Sequence, residues 1–100
     1  MNHKKLQYQR FDIMGSRGHV VYAILLSDQG GRKCVYIGQT KQFHDRISQH
    51  KAGEVLMTRG YKVFDWRVLK GSLTRAEAER WEDYYLSLGH SRSGLPVFGR

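Results

Sequence analysis

Cysteine, proline and long apolar runs are what this 100-residue sequence has least of. Its single Cys34 excludes an intramolecular disulfide, and no Cys/His spacing suits a zinc ion. Cys34 sits in an apolar run and reads as a small core residue rather than a nucleophile. No stretch is long and apolar enough to cross a bilayer or to act as a secretory signal. The expectation is therefore a cytoplasmic protein with no membrane partner. One Pro, with 40% hydrophobic and 26% charged residues, excludes a disordered chain and fits a single globular domain. Acidic residues are scarce too: 9 Asp and Glu stand against 17 Lys and Arg, for a formal net charge of +8. A balance this basic favours a polyanionic partner, nucleic acid ahead of an anionic membrane surface.

Residues 1–17 are polar and basic and read as an N-terminal extension to a domain at 18–100. HVVYAILL (19–26) is apolar on both alternations, as in a strand buried on both faces. A turn signal with paired glycines, SDQGGRK, leads into a second strand, CVYIG (34–38), so the two form an antiparallel hairpin. KQFHDRISQHK (41–51) has helical spacing around Phe43 and Ile47, and AGEVLMTRGY reads as a loop. KVFDWRVLK (62–70) alternates, with Phe64, Trp66 and Val68 facing one way and Asp65 and Arg67 the other. LTRAEAERWEDYYLSLGH (73–90) is the strongest helix, with Thr74 and Glu77 spaced as a capping box and Gly89 placed to end it. The order β-β-α-β-α predicts an α+β fold, a small sheet covered by helices.

Several residues admit a chemical reading beside a packing one. Tyr22 and Tyr36 lie within apolar strands, where a tyrosine usually serves core or cross-strand packing; a buried ring with a reachable hydroxyl is also what a catalytic phenol needs. A phenol of ordinary pKa about 10 would need nearby positive charge to act as a base at neutral pH. Arg46 and His50 are one helical turn apart, set either to pack over the sheet or to line a cleft and meet a phosphate. On the last helix the apolar face runs through Ala78, Trp81, Tyr85 and Leu88, with Glu82 at its edge. A carboxylate against aromatic rings is costly unless paired. A metal ion, a structural ion pair or a slightly different helix phase would each account for it.

Together these residues resemble the GIY-YIG nucleases. Val20-Val21-Tyr22 stands where that family has Gly-Ile-Tyr, and Tyr36-Ile37-Gly38 matches its second motif. Arg46 follows Tyr36 by ten residues and His50 follows Arg46 by four, as in the family. Ala78…Glu82-Asp83-Tyr84-Tyr85-Leu86 fits the family's glutamate helix. The likeness spans roughly residues 18 to 100. The sequence departs from the family at Val20 and Val21, and again at Gly99. There many members carry an Asn, and no Asn follows Asn2.

The resemblance implies a three-stranded antiparallel sheet flanked by helices and metal-assisted hydrolysis of DNA phosphodiesters. Glu82 would hold Mg²⁺, with Mn²⁺ as the alternative, and Tyr22, or else Tyr36, would accept a proton from the attacking water. Arg46 would stabilise the phosphorane, while His50 would orient water or Tyr22 or bind the neighbouring phosphate. Lys41, Lys51, Arg59 and Lys62, with Lys4, Lys5 and Arg10, are the candidates for DNA phosphate contacts, which confer little sequence specificity. A toxin role would add an immunity protein, and a larger system a recognition partner. The alternative is a weakly active or inactive nucleic-acid-binding domain of the same fold.

Overall fold

The computed structural model describes residues 17–100, so the basic extension, apart from Arg17, lies outside the described residues. Its first two elements are the expected hairpin, β1 (His19–Ser27) and β2 (Lys33–Thr40). They pair antiparallel in a register that sets Tyr22 opposite Gly38 and Ile24 opposite Tyr36. The turn between them closes around Asp28, whose carboxylate accepts from the Arg32 amide at 2.9 Å. Helix α1 (Phe43–Lys51) follows almost at once, launched by the Thr40 hydroxyl accepting from the Gln42 amide at 2.9 Å. A short 3₁₀ turn, Leu56–Thr58, then leads into the long strand β3 (Lys62–Leu73). Helix α2 (Arg75–Leu88) carries the complete capping box between Thr74 and Glu77 and ends on Gly89 in the left-handed conformation.

The sheet has four strands rather than three, in the order β3-β1-β2-β4. The fourth is β4 (Val97–Gly99), which pairs parallel to β2, with Tyr36 opposite Phe98 and Ile37 opposite Gly99. This part of GLPVFGR gave no strand signal, because three residues after a Pro carry no period. Long-range pairing with β2 orders them instead.

Strand β1 is central and buried on both faces, so two core clusters form. Tyr22, Ile24, Leu26, Tyr36 and Ile47 fill one face, under α1. Val21, Ile37, Leu73 and Ala78 fill the other, under α2. The alternation expected for β3 is interrupted. Leu25 pairs with Asp65 but Leu26 with Val63, leaving Phe64 as the extra residue of a bulge. Phe64 therefore does not share a face with Trp66 and Val68. Its ring lies under the ammonium groups of Lys33 and Lys62, both of which pair with Ser27. Trp66 opposite Ile24 and Val68 opposite Tyr22 stay on the α1 face.

The buried stripe of α2 is also turned slightly from the expected one. Leu88 is exposed, Leu86 packs in the core, and Glu82 is 4% exposed. Among the described residues no helix is long and apolar enough to cross a membrane.

Candidate active site

The hairpin and α1 together build a cluster around Tyr22. Its ring lies across the backbone of Gly38: a Cβ there would sit 2.5 Å from the Tyr22 hydroxyl oxygen and 2.9 Å from Cε2 of Tyr36. Only glycine lets both tyrosine rings occupy this face of the sheet, which is a physical reason for the last letter of YIG. The two rings are 6.2 Å apart, and His50 stacks at an angle on Tyr36 with centroids 5.0 Å apart. Phe43 and Phe98 close the cluster, the first against Tyr22 and the second against Tyr36.

The polar chain through this cluster has a single consistent direction. Tyr22 Oη lies 2.9 Å from His50 Nε2, and His50 Nδ1 lies 2.7 Å from Thr58 Oγ1. The Thr58 hydroxyl donates to the Val55 carbonyl at a long 3.5 Å. A carbonyl only accepts, so Thr58 Oγ1 receives the proton of His50 Nδ1. Nε2 is then left as an acceptor for the Tyr22 hydroxyl. Burial, and then the charge of Arg46, lower the His50 pKa to about 4, so the ring is neutral near pH 7 as this tautomer requires. Burial, and then Tyr36, push the Tyr22 phenol well above its ordinary value, with Arg46 opposing. Tyr36 is raised by burial and then by Glu82. Neither phenol ionises unaided at neutral pH.

Arg46 is half-buried; its guanidinium donates to Gln49 Oε1 at 3.1 Å. Thr40, Gln42, Asp45, Arg46 and Gln49 line an open pocket on this side of α1. The positive charge of Arg46 acts on Tyr22, Tyr36 and His50 alike. Glu82 reaches the same neighbourhood from α2, and its charge acts on both tyrosines. Burial raises its carboxyl pKa, and Arg100 works against that. Arg100 Nη1 lies 3.6 Å from Glu82 Oε1, and its other terminal nitrogen pairs with Asp83.

Two of the three accounts of Glu82 thus find support, an ion pair and a shifted helix phase. The third, a metal ion, fits the donor chemistry: Mg²⁺ is commonly held by one or two carboxylates together with waters and substrate phosphates. Among the described residues no three His, Cys, Asp or Glu side chains gather into a cage, so Glu82 would be the protein's main ligand.

Of the basic candidates, Lys51 follows His50 and rests 4.8 Å over the Trp66 ring, on the site face. Arg59 pins its own loop by donating to the Gly53 carbonyl at 3.0 Å. Lys41 lies close enough to His19 to lower its pKa, after burial. Lys62 is at the Phe64 bulge, away from the tyrosine cluster. Thr58 is the residue that sequence reasoning missed. A lone Thr in an irregular segment carries no signal, and only the fold brings it to His50.

Hairpin, helices and cluster define a small α+β domain built around a tyrosine–histidine pair. The family model of the GIY-YIG catalytic domain matches residues 18–94, and the chain belongs to that family. It is a family of endonucleases, generally dependent on a divalent metal. No curated protein and no solved structure matches the chain.

Proposed function

We propose that the chain is a metal-dependent endonuclease that hydrolyses DNA phosphodiester bonds with little sequence preference of its own. The observation that carries this is the directed hydrogen-bond chain Tyr22–His50–Thr58. It gives a buried phenol a proton acceptor of fixed tautomer. An attacking water passes its proton to Tyr22 Oη as the phenol's own proton moves to His50 Nε2, so no free phenolate has to accumulate. Tyr36 is the second candidate for this role. Arg46 stabilises negative charge on the phosphorane oxygens from the rim of its pocket. Glu82 would hold Mg²⁺ or Mn²⁺, and the ion, when bound, would supply Lewis-acid stabilisation of developing negative charge. Lys41, Lys51, Arg59 and Lys62 provide phosphate contacts, Lys51 directly beside His50 in sequence.

Incubation of supercoiled plasmid with Mg²⁺ or with EDTA tests this, beside Glu82→Ala and Tyr22→Phe. Metal-dependent nicking lost in both variants is expected. Retained nicking by folded Glu82→Ala protein would sink it. The second reading, a nucleic-acid-binding domain without catalysis, is favoured by one observation: Arg100 places a cationic side chain against Glu82. It predicts salt-sensitive DNA binding with no cleavage in Mg²⁺ or Mn²⁺. A toxin role would add an immunity protein, and membership of a larger system a recognition partner; either would be found as a stable complex.

A further inference from the structure

Strand β3 presents an aromatic side chain where an edge strand of a lone domain would ordinarily be polar. Among the described residues β3 pairs only with β1, so its outer edge is open. Trp66 is 38% exposed and Val68 43% exposed, both on the face that carries Tyr22 and Tyr36. Trp66, Ile24 and Tyr36 form one cross-strand row, which puts Trp66 two strand spacings, about 10 Å, from Tyr36. Lys51 rests on its ring, one residue beyond His50. The one carboxylate of β3, Asp65, pairs with Leu25 and so points to the other face. Next to the tyrosine cluster there is thus an apolar ring with an exposed lysine's positive charge on it and no acid from its own strand.

We propose that Trp66, flanked by Val68 and Lys51, is a stacking platform for an unpaired base of the substrate strand, so that the preferred substrate is DNA with a single-stranded stretch beside the scissile phosphate. This rests on the nuclease reading and names its substrate class. A base offers a full π-face to the indole and brings a phosphate with it. Lys51 gives up an exposed cation–π contact, which is weak, and takes the phosphate instead. A fully paired duplex cannot use the platform without unstacking a base.

The test is equilibrium binding by fluorescence anisotropy in EDTA, so that no cleavage intervenes, with the full chain. Three labelled DNAs are compared: a single strand, a flapped duplex and a blunt duplex. The wild type is expected to prefer the first two. Trp66→Ala should lose roughly 5- to 150-fold on them and little on the blunt duplex. Trp66→Phe should keep most of the affinity. Abasic residues scanned along the single strand should reproduce the loss with wild-type protein, whatever the folding of the variants. Equal binding of all three DNAs by wild type, or no loss on either Trp66→Ala or abasic substitution, overturns the proposal. So does sedimentation showing a dimer that Trp66→Ala dissociates, because a second copy would then cover this face. Plasmid nicking, assayed separately with Mg²⁺, separates failure of the platform from failure of the nuclease.

Discussion

Lowering the pH should destabilise this domain through one imidazole. His50 is 2% exposed and held neutral between Tyr22 and Thr58, with its pKa lowered to about 4 by burial and by Arg46. In the unfolded chain the same ring titrates near its ordinary value of 6.5. A base with a depressed folded pKa contributes stability that is complete above the unfolded value and is lost as pH falls toward the folded one. Between those values the unfolded chain holds a proton that the native one does not. Going from about pH 7 to about pH 5 should therefore cost about 2 kcal/mol. At about 4–8 °C per kcal/mol for a domain of this size, the midpoint should fall by about 8–16 °C. Glu82 works in the opposite sense, because burial raises its carboxyl pKa and acid relieves that penalty. His19, lowered chiefly by burial, adds a smaller loss of the same sign as His50. Thermal melts by circular dichroism should therefore compare wild type with His50→Gln, which cannot titrate, at both pH values. A smaller acid shift in the variant is expected. An equal shift in the two proteins would refute the assignment of a buried, neutral His50.

Three further substitutions probe the surroundings of the tyrosine–histidine pair and the end of β4. Gly38→Ala puts a methyl 2.5 Å from the Tyr22 hydroxyl oxygen, which should cost about 1–3 kcal/mol in a denaturant melt. It should also abolish nicking, since Tyr22 must leave His50. Thr58→Val leaves the His50 Nδ1 proton without its acceptor; the expected loss is about 1–3 kcal/mol. In nicking kinetics kcat should drop with KM held, and an unchanged kcat would remove Thr58 from the proton path. Gly99→Asn, which supplies the amide common in the family, should fail to raise activity. Its Cβ would meet the Ile37 carbonyl oxygen at 2.6 Å. A plasmid assay showing a more active, equally stable Gly99→Asn protein would contradict this.

What could be read from sequence was what local chemistry decides. Hairpin, capping box and Gly89 cap all depend on residues a few positions apart, and the structure reproduces them. Arg46 and His50 share a side of α1 because four residues make roughly one turn. Strand β4 was not legible, since its order comes from a strand some sixty residues earlier. The bulge at Phe64 escaped because period-2 patterning assumes an unbroken register, and one extra residue changes which side chains share a face. Thr58 and Arg100 escaped for the same reason as β4: each acquires its partner only once distant segments have packed.

The hydrogen bond from His50 to Thr58 fastens the turn Leu56–Thr58 to the helix that carries the imidazole. The loop and the ring's tautomer are in consequence one coupled variable. A ligand that draws the turn outward takes away the acceptor that keeps the Nδ1 proton in place, and so frees Nε2 to become the donor. By linkage the effect is reciprocal: a switch of His50 to the tautomer protonated on Nε2 loosens the turn by the same free energy with which moving the turn favours that tautomer. Leu56 and Met57, exposed on this turn, therefore form a handle on the proton path.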